Sequence, residues 1–180
     1  MLLVSEFLLN ATVLSLRTGG VIGETTGYLI NPNNLKVEGF WCNYIATSHP
    51  LILLEQDIRD ISTKGILVND HDVLSEPEEL IRLKDILQLN FTLLNKSVET
   101  KNKEKVGKVK DFSIETKSYY VEKLYVTKPI YQNLAGGQIS IDRNQIIEVT
   151  DNKIIIKELL KPVKAVKLST SSVSSAVNIA

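Results

Sequence analysis

At 180 residues, with 43% apolar and 23% charged side chains, the chain has the composition of an ordinary folded protein, which excludes a disordered or fibrous one. Its 21 basic and 21 acidic residues cancel, unlike the balance of a strongly basic nucleic-acid binder. A single cysteine, Cys42, excludes an internal disulfide, and no Cys/His spacing matches a metal site.

Residues 1–10 carry Glu6 and lack both a basic leading region and a small-residue cleavage site, so they do not read as a secretory signal. No apolar run approaches the roughly 20 residues that a membrane-crossing helix needs. A cytoplasmic protein without a membrane span is expected. From about residue 5 to residue 70, β-branched and aromatic residues fill short segments between the turn signals Asn31-Pro32-Asn33-Asn34 and Ser48-His49-Pro50. This punctuation predicts about six short strands closing a small barrel or sandwich. Gly23, just inside a strand signal, predicts a bulge or a close approach of two backbones.

The pattern changes at Ser75–Leu87. Ser75 with Glu78 fits a capping box, Pro77 falls in the first turn, and Leu80, Leu83 and Leu87 form an apolar stripe at helical spacing. A packed connecting helix is predicted there. Strand signals then resume, with turns at Lys101-Asn102-Lys103 and Ala135-Gly136-Gly137 and a second glycine, Gly107, inside a strand. From Ser169 to Ala180 the chain is mostly Ser, Thr, Val and Ala without period, and disorder is expected. The domain limits are therefore 1–72, a helical connector at 73–90, 91–158, and a tail at 159–180.

The two strand-rich stretches are copies of each other. Leu8-Leu9-Asn10 and Val13 recur 85 residues later as Leu93-Leu94-Asn95 and Val98. At an offset of 84, Gly23 meets Gly107, Tyr28 meets Phe112, Trp41 meets Tyr125 and Cys42 meets Val126. At an offset of 88, Ile66-Leu67-Val68 meets Ile154-Ile155-Ile156. The slips fall in loops, where insertions are tolerated.

Val106-Gly107-Lys108-Val109-Lys110-Asp111-Phe112 and the closing segment from Ile141 to Val149 resemble the PRC-barrel family, named for the photosynthetic reaction-centre H subunit. The second copy is the better match; the first carries Glu24-Thr25-Thr26-Gly27 where the second has Lys108-Val109-Lys110-Asp111. The resemblance implies an all-β fold of two small PRC-type barrels in tandem with a connecting helix. It also implies docking onto larger partners, as in the reaction centre or in bacterial ribosome maturation.

Candidate chemistry is sparse. His49 lies in a turn and His71 between acidic residues, and both read as solvated. Cys42 reads as a small buried hydrophobe, Trp41 and Tyr125 first as core, and Asp57, Arg59 and Asp60 as solvated or ion-paired. Thr18-Gly19-Gly20 and Gly136-Gly137 lack a following helix to cradle phosphate and read as turns. No catalytic residue, cofactor or metal is expected.

One feature points to binding. Lys96, Lys101, Lys103, Lys105, Lys108 and Lys110 surround the first hairpin of the second copy, interrupted only by Glu99 and Glu104. Such a cluster either attracts a polyanion or serves as a charged edge that discourages strand pairing. Tyr119 and Tyr120 would add base stacking if they faced it. The expected function is a non-catalytic scaffold docking onto a larger protein complex, with an RNA-linked or ribosome-assembly role of Lys101, Lys103, Lys105, Lys108 and Lys110 as the alternative. The oligomeric state is left open.

Overall fold

The computed structural model describes residues 1–127 and 138–158. The turn expected at Ala135-Gly136-Gly137 and the tail 159–180, with its expected disorder, lie outside these residues. The described chain is mostly β, with one short α-helix, and its strands form two sheets.

Strand β1 (Leu2–Val4) opens the chain. The first sheet contains β2 (Thr12–Ser15), β3 (Val21–Asn31), β4 (Lys36–Tyr44), β5 (Leu51–Leu54), β6 (Ile58–Ser62), β7 (Gly65–Val68) and β8 (Leu74–Ser75). The second contains β9 (Ser97–Thr100), β10 (Lys105–Glu115), β11 (Val121–Thr127), β12 (Gln138–Asp142), β13 (Ile146–Val149) and β14 (Lys153–Ile156). Their orders are β6-β7-β2-β3-β4-β5-β8 and, read in the matching direction, β13-β14-β9-β10-β11-β12. The two paths are the same up to β5 and β12. β2 pairs with β7 in parallel, as β9 does with β14.

Registers repeat as well. Val13↔Ile66 corresponds to Val98↔Ile154, and Phe40↔Leu53 to Leu124↔Ile141. Left-handed backbone recurs at Asn10 (φ 58) and Asn95 (φ 66), at Gly19 (φ 68) and Lys103 (φ 64), and at Leu35 (φ 57) and Tyr119 (φ 59). Such conformations are uncommon for residues with a Cβ, so their recurrence at matched turns shows that each hairpin demands them. Gly23 and Gly107 also correspond: a Cβ on either would overlap the carbonyl oxygen of the facing strand, Asn43 or Thr127. The expected close backbone approach is present at both sites.

Alternation along the strands sets the core. Val37, Phe40 and Cys42 on β4, and Val121, Leu124 and Val126 on β11, are buried. These side chains join one hydrophobic cluster that also takes in Leu3, Leu8, Phe112 and Ile141. Full burial of each large side chain contributes about 1.5–3 kcal/mol, and the continuity of the cluster ties the two sheets into one cooperative unit.

Two contacts weld the halves. β1 leaves the first half and pairs with β10, Leu3 opposite Ile114, and the following turn Ser5–Leu8 lies on the same strand. At the hairpin tips, the Val37 N–H donates to the Tyr119 carbonyl at 2.8 Å and the Val121 N–H to the Leu35 carbonyl at 2.9 Å. These residues are counterparts at the 84-residue offset, so the exchange is reciprocal, as across a local two-fold axis. Tyr28 and Phe112, also counterparts, meet edge to face at 5.1 Å.

The connector departs from expectation. Instead of one helix over Ser75–Leu87, β8 leads into single turns at Pro77–Glu79 and Ile81–Leu83, and only α1 (Lys84–Leu89) is α-helical. The capping box is formed one residue later than predicted, by Glu76 and Glu79. Ser75 is unavailable as a cap because it is held in β8 opposite Ile52. α1 packs against β3, while Leu80, Leu83 and Leu87 are half-buried.

Candidate functional site

The lysine hairpin is built by β9, a turn and β10. The Thr100 N–H donates to the Glu104 carbonyl and the Lys103 N–H to the Thr100 carbonyl, both at 2.9 Å, which tightens the turn around the left-handed Lys103. Val106 and Val109 point into the core, so Lys105, Lys108 and Lys110 are turned outward between them. Lys101, Lys103, Lys105, Lys108 and Lys110 are all exposed, and among the described residues none of the five forms an ion pair. The structure therefore brings together all five lysines singled out from the sequence.

Lys96 does not belong with them. It is buried, its ammonium lies 4.4 Å over the Phe91 ring, and its Nζ donates to the Asp151 carbonyl. Burial depresses its pKa, with Asp151 opposing. Its long stem hides the charge inside the fold, something residue spacing does not reveal. Of the intervening acids, Glu99 is taken up by Lys153 at 3.1 Å and is not set against the patch.

The aromatic neighbours also differ from expectation. Tyr119 is buried at the hairpin tip, and Tyr120 lies at the seam between halves with the Arg143 guanidinium 4.0 Å over its ring. Neither faces the lysines. Tyr125 does share their outer surface. It stands opposite Asp111 on β10 and Ser140 on β12, next to the row Lys108–Thr127–Gln138. Trp41 and Tyr125, first read as core, are half-buried and point outward while Phe40, Cys42, Leu124 and Val126 point inward. Period-two alternation through the buried neighbours carried this signal.

The remaining candidates serve the fold. Cys42 is fully buried, and burial pushes its thiol up to about 11. Asp57 is half-buried and its pKa is raised, chiefly by that burial. His49 is exposed and lies 2.8 Å from Glu76, and the exposed His71 stacks on Tyr44 at 5.8 Å. Asp70 accepts from Ser15 Oγ at 2.9 Å and pairs with Arg17 and His71. Burial works to raise its pKa, but hydrogen bonds from the His71 backbone, Ser15 and the His71 ring, with Arg17 nearby, outweigh that and hold it near 2. The second half repeats this latch with Asn102 and Glu158 in place of Arg17 and Asp70. Among the described residues, no three His, Cys, Asp or Glu side chains are grouped to hold a metal ion, and no helix is long and apolar enough to cross a membrane.

Neither the protein-family models nor the curated proteins searched contain a match to this chain.

Proposed function

We propose that this chain is a non-catalytic docking module, two PRC-type barrels fused about a local two-fold, that engages an acidic surface of a larger assembly through Lys101, Lys103, Lys105, Lys108 and Lys110. The observation that carries this reading is the set of five exposed lysines left without ion pairs, in a fold that buries Lys96 and engages Lys36, Lys123 and Lys153 with carboxylates. The same strand order in both halves supports the tandem-barrel reading. Unpaired surface charges cost little in isolation and attract an oppositely charged partner over about 8–10 Å at physiological salt.

The test is affinity purification of the tagged full chain from its source cells, with and without ribonuclease, beside a variant carrying Lys103→Glu, Lys105→Glu, Lys108→Glu and Lys110→Glu. Defined protein partners that survive ribonuclease and disappear with the charge reversal are the expected result. Undiminished recovery by the variant would overturn the assignment. An RNA-linked role has one observation in its favour, Tyr125 on the surface shared with Lys108, and recovery of ribosomal proteins and RNA that vanishes with ribonuclease selects that reading.

A further inference from the structure

The two halves end their sheets differently. In the first, the outer edge of β5 is closed by β8, with Ile52 opposite Ser75 and Leu53 opposite Leu74. In the second, the corresponding strand β12 is the last in its sheet, and among the described residues nothing pairs with its outer edge. β12 also lacks the devices that make an edge safe. It keeps an unbroken register against β11 from Lys123↔Asp142 to Thr127↔Gln138, and Gln138-Ile139-Ser140-Ile141-Asp142 contains neither lysine nor proline. The edge strands β6 and β13, by contrast, carry register shifts, and β6 presents Arg59 and Asp60.

We propose that the chain's own segment around Pro162-Val163 adds to β12 as β8 adds to β5, with Ser140 opposite Val163 and Ile141 opposite Pro162. The counting supports it. β8 begins six residues after Val68, the end of β7, and Pro162 lies six residues after Ile156, the end of β14. The 88-residue offset that relates β5 to β12 and β7 to β14 also carries Leu74-Ser75 onto Pro162-Val163.

A proline is compatible with that place for a specific reason. An ideal Cβ on Gly39 of β4 would lie 2.6 Å from the Leu53 carbonyl oxygen, so Leu53 directs its backbone polar groups toward β4. In an antiparallel ladder the next residue, Ile52, then directs its own toward β8, and Leu74 points its N–H away from β5. Pro162 in the Leu74 position loses no ladder hydrogen bond, while Val163 supplies the N–H and carbonyl that face Ser140. The new edge ends on a residue without an N–H, which blocks further strand addition. Because the segment is tethered only a few residues away, its effective concentration at the edge is high.

The proposal makes a register-specific prediction. In the full chain with Cys42→Val, the pair Ser140→Cys and Val163→Cys should form an intramolecular disulfide under mild oxidation at dilute concentration, read as a monomer that no longer reacts with a thiol label. The control pair Ser140→Cys and Ala165→Cys should cross-link much more slowly. Without any cysteine change, the Ser140 amide should exchange hydrogen slowly in the full chain and at least tenfold faster in a chain ending at Glu158. Equal cross-linking of both pairs, cross-links found only in dimers, or unchanged exchange on truncation would each overturn it.

Discussion

The first and second halves share strand order, register and even the positions of left-handed residues, yet their matched outer rows have opposite chemistry. In the first half Gly27, Trp41 and Ile52 lie across β3, β4 and β5, and Ile52 is fully buried beside β8. In the second the same row is Asp111, Tyr125 and Ser140, of which Ser140 is exposed. The repeat therefore conserves what the backbone needs, the tight turns and the close approaches at Gly23 and Gly107, and leaves the outward side chains free to diverge. Trp41 and Ile52 line an apolar face toward β8 and the connector, while the lysines and Tyr125 line a polar one.

The largest expected effect tests whether the halves are one unit. Phe112→Ala removes a fully buried ring from the seam with Tyr28 and should cost about 3–5 kcal/mol, with calorimetry still showing a single transition. Two resolved transitions, one at the original temperature, would show that the halves fold independently.

Next come the paired glycines. Gly107→Ala and Gly23→Ala each drive a Cβ into a facing carbonyl, and each should lower stability by about 1–3 kcal/mol in urea unfolding. Gly107 should be the more sensitive, because Val126 Cγ1 crowds the same point at 2.9 Å. A neutral Gly23→Ala beside a damaging Gly107→Ala would locate the tighter constraint in the second half alone.

The seam should also loosen in alkali. Burial pushes Tyr28 up to about 12, with its hydrogen bond to Ser5 opposing and Asp111 adding, and burial likewise raises Tyr119 to about 12. Both folded-state values exceed the ordinary 10, so their neutral forms stabilise the fold fully below pH 10 and that contribution is lost as pH rises toward 12. Melting temperature followed across this window should fall, and Tyr28→Phe should fall less steeply.

The smallest effect is expected from the lysines. Reversing Lys103, Lys105, Lys108 and Lys110 to glutamate should change stability by less than about 0.5 kcal/mol per site, since each is exposed and unpaired among the described residues. A loss well beyond that would mean that the hairpin charges hold the fold together and are not reserved for a partner.

Sequence alone determined the duplication, the all-β class, the buried Cys42 and the lysine cluster, because repeated apolar spacing and turn residues are local signals readable without neighbours. It also marked Gly23 and Gly107, whose missing Cβ is visible in the chain. Tertiary structure decided the rest. Lys96 left the patch because its stem reaches the Asp151 carbonyl, 55 residues away in sequence. The connector broke into turns because Ser75 was claimed by β5 before it could cap a helix. Trp41 and Tyr125 faced outward, and the two hairpin tips locked reciprocally, because strand pairing sets which face each residue takes, and pairing joins residues that no local pattern connects.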